Sequence, residues 1–401
     1  MGRASIYMII GLSLIMLFFG KSMTDVATES IDNEVTYYEN TQRYNIAIAG
    51  ANLACNEIFM DNTWRDGFDS VSFNGGTFSV VCTDSSNGMV MLESSGQYMG
   101  AVSTVKVLLN PSNFSKFSMY CGNVSAAAKL RDGDTVNGPI HFNNKLTTQG
   151  DPVFFGKATM GSLQTSSGTP KFLGGYEEGV NVPFPDYTAN ATAISTAASG
   201  GGYYQNGGEL WLEFRSDGYV RYKTSTAGSY GAYQPISTFA SNGKICINNG
   251  ELHVSGTLQG NVTLASTITS GSPSSTNGAT YIEDNLKYNT NPITNPSSTD
   301  MLGIVSAGDV TFQKIPIELD GNMFTNQNAT MNSAYKNTNP PQQIKVIGTF
   351  MAKNMNSTDF GTGSNKGANF YIQYDSRVET TPPANFPFPS TGSFEIMSWY
   401  E

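Results

Sequence analysis

The sequence predicts a mainly β protein led by one long α-helix, with a small antiparallel sheet and then an irregular β-solenoid. Three observations carry this. A charge-free apolar run near the start continues into proline-free sequence, "MGRASIYMIIGLSLIMLFFGKSM" onward. A segment of alternating apolar and polar residues follows it directly. The rest is rich in Gly, Asn, Ser and Thr, with only 13% charged and 11% aromatic residues. So many aromatic and β-branched residues can offset the entropy of folding, and Gly and Asn suit the tight turns that join many short strands.

The helix is expected from about Ala4 to Met60, roughly 85 Å of α-helix. Between Ala4 and Gly20 the apolar side chains are Ile6, Ile9, Ile10, Leu12, Leu14, Ile15, Leu17, Phe18 and Phe19. Together they supply roughly −3 to −5 kcal/mol of membrane insertion free energy. Lys21 can snorkel to extend a span slightly shorter than the hydrocarbon core. A cleaved signal peptide is the rival reading, but "FFGKSMTD" offers no convincing pair of small residues at the −3 and −1 positions of a cleavage site. Retention is therefore expected, with Arg3 inside and the body facing away from the cytoplasm. Beyond the lipid, Asp25, Glu29, Asp32, Glu34 and Glu39 make the helix too polar for a core. Val26, Ser30, Asn33 and Tyr37 share one side, and an apolar stripe returns at Ile46, Gly50, Leu53 and Cys55–Phe59, so only the last four turns suit a sheet.

"GGTFSVVCTDSSNGMVMLESSGQYMGAVSTVKVLLN" reads as three strands joined by hairpins, the sheet on which those turns lie. From Pro111 the apolar runs shorten. In "GKICINNGELHVSGTLQGNVTLAS", Ile245 and Ile247, Leu252 and Val254, Leu258, and Val262 and Leu264 alternate between turns. Runs this short are unstable alone but pair as rungs of a solenoid. "GGELWLEFRSDGYVRYKTS" is expected as a hairpin turning at Asp217 and Gly218, inserted between rungs, with Tyr203, Trp211 and Tyr219 as possible ligand-binding aromatics. The expected organisation is a transmembrane and assembly helix over 1–62, a small antiparallel sheet over 63–110, a solenoid over 111–320 with the hairpin near 203–235, and a closing β segment over 321–401.

The net charge of −10 repels phosphates, and no Lys/Arg cluster offsets it, so nucleic acid is not an expected partner. Cys55, Cys82, Cys121 and Cys246 lack metal or thioredoxin spacing. Buried free thiols or one bridge remain open, with Cys82–Cys121, which flank a short β segment, the favoured pair. His141 and His253 lie in no nucleophile or metal motif; His141 reads as a hydrogen-bonded structural residue and His253 as outward-pointing on a strand. "RDGDTVNG" offers Asp132, Asp134 and Asn137, but without the bidentate glutamate of a calcium loop it reads as turn chemistry. "PPANFPFPSTG" reads as a rigid strap. No catalytic, cofactor or metal residues are expected.

Three regions carry a resemblance. The lipid helix running into "AIAGANLACNEIFMD" resembles type IV pilin-like proteins of the PilX kind. "DGDTVNGPIHFN", "VSGTLQGNVTLAS", "DMLGIVSAGDV" and the terminal "FEIMSWYE" look like a bacterial family of pilin-like surface proteins with β-solenoid bodies. The resemblance implies anchoring in the inner membrane, recruitment by a pilus-type assembly machine, and self-association of the helices into an extracellular filament. Pilins are cut after a glycine and carry glutamate at the fifth mature position. Cutting here after Gly2 would place Tyr7 there, so either shape alone sets the register or that processing does not occur. A minor tip pilin or anchored adhesin that binds carbohydrate is the alternative function, and a polysaccharide-degrading enzyme the third.

Overall fold

The computed structural model describes residues 2–85, 89–111, 117–124, 129–356, 360–361, 365–387 and 394–400. The chain divides into two units, Met1–Ser112 with Gly392–Glu401, and Asn113–Thr391. It is mainly β, with one long N-terminal helix, a small antiparallel sheet and a strand-rich body.

In the first unit, α1 runs without interruption from Gly2 to Met60. Four strands follow: β1 (Phe68–Phe73), β2 (Gly76–Asp84), β3 (Val90–Tyr98) and β4 (Ala101–Pro111), each antiparallel to the next. Alternation sends Phe78 and Val80, Val90 and Leu92, and Val105, Val107 and Leu109 to one face. There they meet Ile46, Ala47, Ala51, Ala54 and Ile58 of α1 in a shared core. Small residues let the helix approach closely. A Cβ on Gly96 would stand 2.4 Å from the Arg43 carbonyl oxygen and 2.5 Å from the Ala47 nitrogen. Ser94 Oγ also donates to the Ala47 carbonyl across 2.7 Å in this buried seam.

The fifth strand of this sheet is the last strand of the chain, Phe394–Tyr400, antiparallel to β4. The expected 321–401 closing segment is therefore corrected. Its final residues complete the first unit's sheet, and its expected start falls inside a single strand, Ile317–Met331. Apolar Phe394 and Trp399 pack on the rim of the helix–sheet core, which is the physical reason for the return. Residues 388–392 of the strap, and Glu401 of the terminal motif, lie outside the described residues.

The second unit is wound from β5 (Met119–Val124), β6 (Lys129–Arg131), β7 (Thr135–Asn137), β8 (Ile140–Gln149), β9 (Val153–Phe154), β10 (Ala158–Ser167), β11 (Lys171–Phe172) and β12 (Tyr176–Glu178). After α2 (Thr188–Ser199) come β13 (Tyr203–Arg215), β14 (Tyr219–Lys223), β15 (Gln234–Pro235), β16 (Lys244–Leu258), β17 (Asn261–Thr267), β18 (Ala279–Tyr288), β19 (Met301–Ser306), β20 (Val310–Phe312), β21 (Ile317–Met331), β22 (Gln342–Met355) and β23 (Ala368–Gln373). Coil-to-coil pairings are parallel.

One ladder shows the winding order. Tyr176, Ala158, Ile140 and Met119 pair in succession, then Met119 pairs with Phe350, followed by Met323, Ile304, Leu264, Ile245 and Tyr203. The chain thus enters in the middle of the stack, winds to β12, crosses to β13, and winds back until β22 meets β5. Six of the residues that follow these column positions face outward yet are apolar: Tyr120, Met351, Phe324, Val305, Ala265 and Cys246. They are buried because the crossing segment lies on them, with Val182, Phe184, Tyr187, Ile194 and Ala198 in the same cluster.

The expected hairpin forms, with β13 antiparallel to β14 in register Trp211↔Lys223 through Arg215↔Tyr219. Gly218 sits at φ +80°, the left-handed conformation a tight turn needs. It is not inserted between rungs, however. β13 pairs with β16 on one side and only with its own partner β14 on the other, so the hairpin covers the last coil's edge and removes a template for unwanted pairing.

Candidate functional site

The candidate assembly element is the part of α1 beyond the sheet. Ile6, Ile9, Ile10, Leu12, Leu14, Ile15, Leu17, Phe18 and Phe19 are all at least half exposed. Ile6–Met60 is long and apolar enough to cross a membrane, and its most apolar window has none of its residues buried within the protein. In the polar continuation the hydroxyls of Thr24, Thr28, Thr36 and Thr41 donate to carbonyls four residues back, so these polar groups are satisfied within the helix.

Helical geometry, about 100° per residue, sorts the exposed stem into two halves. Met23, Val26, Ala27, Ile31, Val35, Tyr37 and Tyr38 occupy one half, together with Thr24, Ser30 and Glu34. Asp25, Glu29, Asp32 and Glu39 occupy the other, the half that further along carries Ile46, Ala47, Gly50, Ala51, Ala54 and Ile58 onto the sheet. An apolar ridge therefore continues from the lipid segment along the side of α1 that faces away from the sheet. Sequence reading grouped Val26 with Ser30, Asn33 and Tyr37 and missed this ridge, which becomes visible once the sheet-facing side is fixed.

The possible ligand-binding aromatics lie in the strand-rich unit and present no uncovered ring stack. Tyr203 stacks on Phe239 at 4.4 Å. Trp211 stacks on His253 at 3.7 Å, and the Lys223 ammonium lies 4.5 Å from the Trp211 ring on the β14 side. Tyr219 lies under the Arg215 guanidinium at 5.0 Å. A sugar platform needs a free aromatic face, so the expected binding role finds no support in this geometry.

His253 alternates away from the core as expected but is only 7% exposed. Tyr281 covers its second face at 4.6 Å, and Nδ1 lies 2.6 Å from Glu283 Oε1. Nearby carboxylates are also engaged. Glu209 accepts from Trp211 Nε1 and Thr226 Oγ1, each at 2.7 Å, and these bonds hold its carboxyl below the usual range. Glu213 accepts from Arg221 and from the Tyr233 hydroxyl. The cluster braces the terminal coils. His141 is buried, with Nδ1 2.8 Å from Thr159 Oγ1 and Nε2 2.7 Å from Asn143 Oδ1.

Asp134 accepts from the backbone N–H groups of Arg131 and Phe370, tying the β6–β7 turn to β23. Burial pushes its carboxyl up to about 7. Among the described residues, no group of three or more His, Cys, Asp or Glu is placed to hold a metal ion.

The favoured Cys82–Cys121 bridge is corrected as well. All four cysteines are free thiols, Cys82 belongs to the first unit, and Cys121 is fully enclosed in the core of the second.

A long apolar helix whose far end is clamped to a small antiparallel sheet, followed by a strand-rich body, defines the architecture. No family model matches the chain, and no curated protein matches its sequence. The crystal structure of the competence-associated pilin ComZ from Thermus thermophilus is similar at 12% identity and TM-score 0.38, over 90% of this chain and 96% of that chain. A likeness at that level is too distant to argue from.

Proposed function

We propose that the protein is a structural, non-enzymatic subunit of an extracellular pilus-like filament, anchored in the inner membrane through α1 before a pilus-type machine assembles it. The observation that carries this is the unpartnered apolar surface of α1. The segment from Ile6 to Phe19 and the ridge from Met23 to Tyr38 are exposed on a helix whose other end is fixed to a folded sheet. Lipid can cover the first part, but the ridge lies among acidic residues beyond it. Copies of α1 burying these faces against one another would cover both.

Such a contact joins different parts of successive copies and does not close on itself, so it propagates as a helical polymer. With no carboxylate between Ile6 and Phe19, register would come from side-chain shape and from the ridge. Electron microscopy of sheared cell-surface material tests the reading. Filaments should contain this chain, and deletion of its gene should remove them. A chain recovered only as dispersed membrane-bound monomers would overturn it.

A further inference from the structure

The helix-bearing unit holds two half-buried thiols on the rim of one core. Cys55 follows Ala54 on the last packed turns of α1. Cys82 shares the helix-facing side of β2 with Phe78 and Val80 through strand alternation. Both side chains pack against the cluster that contains Ala54, Ile58, Val80, Val90 and Leu92. They are also within electrostatic reach. Burial first, and then the charge of Cys82, push the Cys55 thiol up to about 11. Cys121 and Cys246 are buried in the other unit, enclosed by the coil core and by the crossing segment respectively.

We propose that Cys55 and Cys82 are a disulfide pair that closes when the unit enters an oxidising compartment, stapling the end of α1 to β2. The oxidant is a protein disulfide of the dithiol-oxidoreductase class, or oxidised glutathione. One of the two thiols loses its proton, and the thiolate attacks the oxidant's disulfide, forming a mixed disulfide and releasing one oxidant thiolate. The second cysteine then loses its proton and attacks the mixed disulfide, expelling the other oxidant thiolate. Two electrons pass to the oxidant, and the two protons released by the cysteines match its two new thiolates. The raised Cys55 thiol makes this closure slow without a catalyst, because the thiolate is the attacking species. Once made, the bond crosslinks the helix end to a strand it meets only through folding, which restricts the unfolded chain.

The pairing itself rests on the geometry of one unit; only its occurrence in cells rests on the proposed export. Two arms keep these apart. In the first, detergent-solubilised full-length protein is equilibrated with oxidised glutathione, unfolded and alkylated with N-ethylmaleimide in denaturant, digested and mapped without reduction. The expected result is a peptide pair joined through Cys55 and Cys82, with Cys121 and Cys246 alkylated. The oxidised unit should melt about 10 °C higher than the reduced one, a gap that Cys55→Ser abolishes. Four alkylated cysteines, or a different pair, would overturn the proposal. In the second arm, cells are alkylated before lysis. The same linked peptide there supports export as well. Free thiols there, with the bond formed in the first arm, uphold the pairing and count against export.

Discussion

Residues 6–38 and 43–60 belong to one continuous helix, yet their side chains obey opposite rules. In the second stretch each sheet-facing position is small or tightly fitted, and a Cβ on Gly50 would stand 2.6 Å from Ser94 Oγ and 2.8 Å from a Phe78 ring carbon. In the first, Gly11 and Gly20 have nothing within 4 Å of the same added atom. Backbone conformation is shared, so the difference lies entirely in what the side chains touch. Packing within the chain explains one half of α1, and the other half is left exposed by it.

The largest expected effect breaks that contrast at its exposed end. Leu14→Asp places a charge in the apolar segment at a cost of about 3 kcal/mol on the insertion scale. Membrane recovery and filament yield should fall at least tenfold, while the strand-rich unit keeps its melting transition by circular dichroism. Loss of that transition would mean that the exposed segment serves folding instead.

Carboxylates show the same division. Asp25, Glu29 and Asp32 stand in the open on the stem, whereas Asp320 is 1% exposed, with Oδ2 accepting from the Tyr288 N–H and Oδ1 unpartnered. Burial first, and Glu318 second among the raising causes, push its carboxyl up to about 6. A folded-state value above the unfolded one means that the native state holds the proton more tightly. The stabilisation is full below about pH 4 and is lost as pH rises through about 6. Asp320→Asn should therefore stabilise the strand-rich unit by about 2 kcal/mol at pH 8 and change little at pH 4, in denaturant titrations. Filament yield should be unaffected.

Smaller again is Gly50→Ala. The added methyl crowds Phe78 and Ser94, and overpacking of about 1–3 kcal/mol is partly offset by better helix propensity. A net loss of about 1–2 kcal/mol in the first unit's stability is expected by thermal melting.

Local signals made much of this architecture legible. The apolar run, the absence of proline and the return of small and apolar residues at Ile46, Gly50 and Leu53 marked the helix and its docking turns. Asp217-Gly218 marked the hairpin, and alternation at Leu252 and Val254 marked inward positions. Long-range pairing was not legible. Nothing near Phe394 or Trp399 encodes that their strand joins β4, and parallel register leaves no turn signature, so entry at mid-stack was hidden. One clue to the crossing segment was present in the apolar run Ile245-Cys246-Ile247, because three successive apolar residues on a strand imply cover on both faces. The aromatic residues make a related point. Composition counts rings, but only the register that sets Trp211 beside His253 and Lys223 shows that their faces are occupied.

The smallest effect tests which side of α1 meets a neighbour. Gly11 and Gly20 lie on opposite halves of the helix, Gly20 on the half that carries Met23, Val26, Ile31 and Val35, and Gly11 on the acidic half. Within the chain both have open space, so alanine at either should favour the isolated helix by about 0.5–1 kcal/mol. If the ridge packs against copies, a methyl at Gly20 intrudes on that contact and one at Gly11 does not. Gly20→Ala should then lower filament yield by less than tenfold, while Gly11→Ala should leave it unchanged or slightly raised, as judged by quantitative microscopy at matched protein levels. Equal yields from the two variants would show that helices meet without regard to the ridge, and the asymmetry argued for the stem would have to be given up.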